Sequence, residues 1–376
     1  MLYTLKLYDQ PLLRFSVLEN LAEPVLKIEW YDKERENLLP LGMELSDKGL
    51  STWIRHRSIP KNRAFVTSFL AKCGLSINRP LDVISVCRGL SLNDSYWIVD
   101  EDFDGSFEKN NLYENRFSRM LGNLAFTGYG STRSGFSSSP EFTTNGMLPK
   151  CWRRENGKIF LYKGATSGAS NTGNEPYSEL YAYEIGRKMG VNVIPYSIKK
   201  WKGQLCSVCE LFTDKDTAFV SVGRIVKKGG MKAVREYYAE LGDEYIRTLN
   251  EMIVFDAVII NTDRHYGNFG VLVDSKTNRI IAPAPLFDHG NSLLNLAGEE
   301  NWGDETKLQA YADTQLPQTY DDFVTEAKKY LDNDLKAKLR KLLDYEIEKG
   351  TRYNYPPKKL AQLNRLVQKR VRLLLE

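Results

Sequence analysis

Cysteine and histidine are scarce in this chain of 376 residues, with five of the first and three of the second. A structural zinc site needs paired Cys or His ligands at short spacing. Cys206-Ser-Val-Cys209 is the only Cys-x-x-Cys, and no second pair exists to complete it. It lies inside an apolar run, where a free thiol is ordinarily a small core side chain. An odd number of scattered cysteines fits a reducing compartment, so a cytoplasmic location is expected. Long apolar runs are also missing: none approaches the roughly 18–20 residues of a membrane helix. The first residues, Met1-Leu-Tyr-Thr-Leu-Lys-Leu-Tyr-Asp9, alternate as a strand does, unlike a signal peptide. Nor does one charge dominate. The 52 Lys and Arg against 48 Asp and Glu leave +4, too balanced to imply nucleic acid.

What is present is an ordinary globular composition without internal repeats, 42% hydrophobic and 27% charged, with length enough for two or three domains or lobes. Leu2–Tyr8 and Leu12–Val17 alternate around Asp9-Gln-Pro11, which predicts a hairpin. Ile59–Lys72 reads as a helix with Pro60 at its start and Gly74 ending it. Ser91–Trp97 reads as a capped turn entering a strand. Residues 128–145, including Gly128–Pro140, are rich in Gly, Ser and Thr and are expected to be a linker or mobile loop. Beyond it come two strands, Lys150–Arg154 and Lys158–Lys163, then a helix, Pro176–Gly190. Strands Val191–Ile198 and Gln204–Leu211 follow. One or two helices fill 230–260. After 316 the pattern is helical, with breaks at Asp332-Asn-Asp334 and Pro356-Pro357.

Two polar clusters end apolar stretches: Asn261-Thr-Asp-Arg-His-Tyr-Gly-Asn-Phe269 and Leu286-Phe-Asp-His289. An Asp-rich turn between apolar runs is often only a loop. Here, however, Asp263 is followed five positions on by Asn268, and about twenty residues later by Asp288, the spacing of a kinase catalytic loop and its metal-binding Asp. Phosphoryl transfer from ATP uses such a set: one Asp accepts the proton of the attacking hydroxyl, and an Asn and a second Asp hold magnesium. Magnesium prefers oxygen donors and needs only one or two from the protein.

From about Thr143 to Leu294, and more loosely to the C-terminus, the sequence resembles the HipA-type kinases of the protein and phosphoinositide kinase superfamily. The first 120 residues show no such match. The resemblance implies an α+β, two-lobed kinase fold with an additional N-terminal α+β region: 1–120, a β-rich lobe over 121–212 and a helical lobe over 213–376. Thr143-Thr-Asn-Gly-Met-Leu-Pro-Lys150 is similar to the family's phosphate loop, which assigns Asn145, Gly146 and Lys150 to nucleotide phosphates. Lys163 at a strand end would reach the phosphates and pair with Glu179 on the next helix, in preference to Glu184 on another face. Glu210, Leu211 and Phe212 would form the adenine-binding hinge. Asp263 is the expected base, with Asn268 and Asp288 as magnesium ligands. His265 has two roles open to it, contact with the γ-phosphate or locking of the loop; for Arg264 the locking role is preferred. Asp288-His-Gly stands where protein kinases have Asp-Phe-Gly, which removes a swinging Phe as a control element.

The expected activity is therefore ATP- and magnesium-dependent transfer to Ser or Thr of a protein. From His289 to Gln315 there is one basic residue, Lys307, against Glu299, Glu300, Asp304, Glu305 and Asp313, which disfavours a phosphoinositide headgroup. Phosphoinositide or small-molecule kinase remains the first alternative, and a nucleotide-binding module without transfer the second. The basic tail Lys358–Arg372 carries Leu360, Leu363, Leu366, Val367, Val371 and Leu374 at helical spacing, so a docked helix is expected in place of a nucleic-acid site. The resemblance implies a toxin role and a small DNA-binding antitoxin partner, with no membrane contact. It also places Thr143 where the family autophosphorylates, with Thr144 as neighbouring acceptor.

Overall fold

The computed structural model describes residues 1–18, 25–130, 138–348 and 352–376. These form two compact units, each assembled from several stretches of chain. The first comprises Met1–Tyr162, Leu211–Val220 and Val271–Ile281, and the second comprises Lys163–Glu210, Ser221–Gly270 and Ala282–Glu376. The three-part division at 120 and 212 does not coincide with them.

In the first unit, strands β1 (Leu2–Leu7), β2 (Gln10–Leu18), β3 (Val25–Tyr31) and β4 (Tyr96–Asp100) form an antiparallel sheet in the order β3-β2-β1-β4. Alternation turns Leu5, Leu7, Leu13, Phe15 and Val17 into the core. There they join Leu50 and Ile54 of the helix Asp47–Arg55, Phe69 and Leu70 of the helix Val66–Lys72, and Leu121 and Leu124 of the helix Arg119–Thr127. Arg57 secures the turn before β4, giving 2.7 and 2.9 Å bonds to Asp94 and one of 2.8 Å to the Gly89 carbonyl. The expected helix Ile59–Lys72 begins only at Val66. Phe65, with φ +62°, stops its extension backward, and the tertiary partners of Arg63 and Ala64 described below explain why. β5 (Lys150–Glu155) and β6 (Lys158–Lys163) flank Asn156-Gly157, whose φ values of +51° and +81° suit a tight hairpin.

In the second unit the helix Glu175–Met189 ends at Gly190, φ +88°, followed by an antiparallel hairpin of β7 (Tyr196–Trp201) and β8 (Gln204–Glu210). The strand expected from Val191 thus starts five residues later. Cys206 and Cys209 of β8 are buried thiols outside any disulfide, and burial pushes the Cys209 thiol up to about 12. The centre of the unit is the helix Asp243–Ile259, buried without a break from Met252 to Ile259. The final helix, Pro357–Leu375, docks on it. All six predicted apolar residues of that helix are buried, and Arg370 gives 3.0 and 2.9 Å bonds to the Ala257 carbonyl. The expected breaks prove to be helix starts: Asp332 caps Asn333–Arg340, and Pro357 opens the last helix. Among the described residues no helix is long and apolar enough to cross a membrane.

Candidate active site

Most of the sequence-selected residues fall in the second unit, and apart from Glu210 they form two adjoining groups. Lys163, at the end of β6, is buried, and its Nζ donates to Glu179 Oε1 at 2.6 Å and to Asp288 Oδ1. Glu179 is wholly buried on the helix Glu175–Met189, and its Oε2 accepts the His289 N–H at 2.7 Å. Burial by itself would lower the Lys163 ammonium's pKa; the Asp288 and Glu179 carboxylates outweigh it and raise the net value, so the cation persists. Asp288 keeps a partly exposed carboxylate.

The second group is the loop after the helix Asp243–Ile259. Asp263 receives 3.0 Å from Asn291 Nδ2 on its Oδ2, and its backbone N–H is held by Asn261 Oδ1 at 3.2 Å. Asn268 donates its amide nitrogen to the Asp263 carbonyl at 3.2 Å, which leaves its Oδ1 as the acceptor atom. Oxygen donors on Asn268 and Asp288 fit magnesium in kind. Among the described residues no group of three or more His, Cys, Asp and Glu converges on a metal position, so any ion there would rely on this small set and its substrate.

Arg264 joins the two groups. It is fully buried, with Nε and Nη2 paired to both oxygens of Asp256 at 2.8 and 2.9 Å. Nη1 reaches the carbonyls of Asn268 at 3.0 Å and Phe287 at 2.7 Å, and Nη2 reaches His289 Nδ1 at 3.0 Å. This is the locking role expected of Arg264. A guanidinium donor on Nδ1 assigns the remaining ring proton of His289 to Nε2. Burial, then Arg264, hold His289 well below its ordinary pKa, so the ring is neutral. It packs edge-on against Phe255 and Tyr196, a fixed ring in the position of the swinging Phe. His265 is exposed and accepts the Gly267 N–H on Nδ1 at 3.0 Å.

Backbone strain gathers here. Ile260, Asp288, Leu293 and Leu294 have φ of +53°, +60°, +53° and +57°, a region costing a non-glycine residue roughly 1–2 kcal/mol. Tertiary bonds hold it: Leu293 N–H to Ile259 O at 2.7 Å, and Asp288 N–H to Tyr196 Oη at 3.2 Å.

Sequence reasoning did not select Asp256, Asn291 or Asn295, whose Nδ2 donates to Asn291 Oδ1 at 3.2 Å. The run Asp288-His-Gly-Asn-Ser292 carried a signal for Asn291, an amide three residues past the expected metal ligand. Asp256 lies on the buried face of a helix and looks like any capped polar interruption until Arg264 is seen against it.

The expected phosphate loop lies in the first unit. Thr143 is buried and donates to Leu90 O at 2.9 Å; Thr144 Oγ1 donates to Pro140 O at 2.6 Å and accepts from Trp152 Nε1 at 2.8 Å. Lys150 Nζ donates to Asn145 O at 2.8 Å, and a Cβ on Gly146 would fall 2.2 Å from that Nζ. Ser138–Thr143 is buried throughout, contrary to the mobility expected of this Ser/Thr-rich stretch, because its hydroxyls find backbone partners such as Cys87 O. Residues 131–137 of the expected linker lie outside the described residues. Of the proposed hinge, Glu210 ends β8 in the second unit, while Leu211 and Phe212 belong to the first. Leu211 N–H bonds Ile159 O at 2.9 Å, and Phe212 meets Phe219 edge-on.

No protein-family model and no curated protein matches this chain. Solved structures do. HipA of Shewanella oneidensis, from a toxin–antitoxin complex with HipB and its operator DNA, is 12% identical, with 98% of this chain and 96% of that one covered at a TM-score of 0.56. The proinflammatory kinase CtkA of Helicobacter pylori is 17% identical, with 62% of this chain and 91% of that one covered at a TM-score of 0.50. Likeness at such identities is likeness of fold: the chain has the α+β fold of the HipA-like kinases. Coverage of 98% takes in most of the first 120 residues, for which the sequence offered no counterpart.

Proposed function

We propose that the protein is an ATP- and magnesium-dependent serine/threonine protein kinase of the HipA type. One observation carries the reading: a buried lysine held between a fully buried glutamate and a partly exposed aspartate, Lys163 between Glu179 and Asp288. A structural ion pair needs one carboxylate. The second, on a strained backbone, is the kind of group that changes partner when a polyphosphate draws the ammonium away.

The chemistry follows from the atoms. Asp263 Oδ2 is occupied by Asn291, so Oδ1 is left for a substrate hydroxyl. As that oxygen attacks the γ-phosphorus, its proton passes to Asp263, and the bond to the β–γ bridging oxygen breaks to release ADP. Lys163 would carry phosphate charge. Asn268 and Asp288 would hold magnesium, which when bound neutralises charge on the phosphates. Replacing Asp263 by Asn removes the base with little change of shape. It should lower phosphoryl transfer by about 10²–10⁴-fold with ATP binding retained. Labelled ATP incubated with the protein and cell extract measures this. Native-rate transfer by Asp263→Asn would sink the assignment; label on lipid would move it to phosphoinositide kinases, and binding without transfer to a nucleotide-binding module.

A toxin role with a small DNA-binding antitoxin belongs to the same proposal, motivated by the HipA complex with HipB and DNA. Loss of growth on expression, relieved by a co-expressed neighbouring gene product, is its test. Thr143 and Thr144 are the proposed autophosphorylation sites. Their hydroxyls are engaged with Leu90 O and Pro140 O, so phosphorylation requires the loop to leave its seat. The added charge of about −1.5 to −2 would then oppose its return. Mass spectrometry should find phosphate at Thr143 or Thr144 in the active protein and none in Asp263→Asn.

A further inference from the structure

The N-terminal region has no catalytic residue assigned to it, yet two of its residues grip the expected phosphate loop. Arg63 is buried, and its Nε donates to Gly146 O at 2.5 Å. Its Nη2 donates to Asn145 O at 3.1 Å and to Thr144 O. The next residue, Ala64, donates its backbone N–H to Met147 O at 2.8 Å. Four consecutive carbonyls, 144 to 147, are therefore turned toward one dipeptide. A trans peptide is planar, and its N–H points opposite its C=O. Binding those four carbonyls on one side turns the N–H groups of Asn145, Gly146, Met147 and Leu148 to the other. Among the described residues none of these four N–H groups has an intrachain acceptor. Successive N–H groups facing one way with a glycine at φ +94° make an anion-binding concavity.

Other features of the segment serve the same grip. Phe65 takes up φ +62°, unfavourable for an aromatic residue, immediately after Ala64. The strain lets the chain leave the loop and enter the helix Val66–Lys72. Its ring lies against Gly128, where a Cβ would come within 2.6 Å of it. Lys150 supports the loop from within through Asn145 O.

We infer that Arg63 and Ala64 are the positioning element of the phosphate loop, holding its carbonyls so that its N–H groups are presented to a nucleotide polyphosphate. The inference rests on the kinase reading above and gives residues 1–120 a part in it. A lysine at 63 would keep the charge but lacks the planar fork that reaches three carbonyls together.

Isothermal titration of wild type, Arg63→Lys and Arg63→Ala with ATP and with adenosine tests it. Adenosine lacks the phosphates the loop would bind. Arg63→Ala should weaken ATP by about tenfold or more, as expected for losing a set of charge-assisted bonds, and Arg63→Lys by less. Adenosine affinity should stay within about twofold in both, because a hinge contact does not involve this loop. Equal ATP affinity in wild type and both variants overturns the inference and leaves the kinase reading intact. So does a parallel loss of ATP and adenosine, which would mark Arg63 as only a fold residue. Should Arg63→Ala fail to fold, Arg63→Lys decides by the same ratio. A wild type that binds neither ligand overturns the kinase reading and this inference with it.

Discussion

Each unit is held at its proposed functional segment by a buried arginine, and the two arginines are built differently. In the second unit Arg264 has a full ionic partner: Asp256 takes it with both oxygens, and the remaining donors go to carbonyls and His289. Burial opposes its charge, but Asp256 outweighs burial and raises its pKa. In the first unit Arg63 donates only to carbonyls. Burial pushes it down to about 10, offset in part by Glu141, with which it has no hydrogen bond among those described. The difference separates permanence from release. A guanidinium neutralised in place fixes the loop Asn261–Phe269 and the Asp-His-Gly segment as one body. A guanidinium that only collects carbonyls holds a loop that can be let go at smaller cost, which suits a segment expected to close on phosphates or leave when phosphorylated.

Breaking the ionic lock should have the largest effect. Asp256→Ala strands a buried charge and should cost about 3–5 kcal/mol, read as a large drop in the urea midpoint with loss of transfer. A cost below about 1 kcal/mol would show that Arg264 finds other compensation. Arg63→Ala should cost less, because it removes its own charge and leaves carbonyls short of partners, at about 1–3 kcal/mol in total. A cost equal to that of Asp256→Ala would erase the contrast. The smallest effect sharpens the rule that an unpaired buried charge is unfavourable. Glu184 is buried on the helix Glu175–Met189 with one oxygen unpartnered. Burial, then Glu348, push its carboxyl from 4.5 up to about 7, against a weaker pull from Arg187. Its folded pKa exceeds its unfolded one, so its share of stability is full below 4.5 and is lost as pH rises through 7. Glu184→Gln should therefore raise the melting temperature at pH 8 by on the order of 2–4 °C and change it little at pH 4.5. An equal change at both pH values would refute the titration.

Much of this was readable in the sequence where the signal is local. The hairpin β1–β2 follows from alternation around a turn, the helix Glu175–Met189 from its Pro and Gly boundaries, and the final helix from six apolar residues at helical spacing. The Lys163–Glu179–Asp288 meeting was expected for Lys163 and Glu179 from kinase order, although 125 residues separate Lys163 from Asp288. What escaped depends on contacts with no local trace. Arg63 lies 83 residues from Gly146, and in a helix-like stretch it reads as one more surface cation. Helix propensity over 60–65 lost to that contact, since a helix through Arg63 and Ala64 would spend the Ala64 N–H on its own backbone instead of on Met147 O. Asn291 escaped because an amide beside a glycine turn has a ready local explanation.

The docking of the last helix has a consequence for the order in which the protein can come into being. Ala257 O, one turn before the loop Asn261–Phe269, waits for Arg370, and the buried face of the helix Asp243–Ile259 waits for the leucines of Pro357–Leu375. At about 5–20 residues per second on a ribosome, the roughly 110 residues between them take on the order of 5–20 s to make. For that interval the nascent chain carries the sequence of its proposed catalytic loop without the support that fixes it. The final helix belongs to the second unit, so under the proposed function a chain cut short upstream of residue 357 should lack transfer activity.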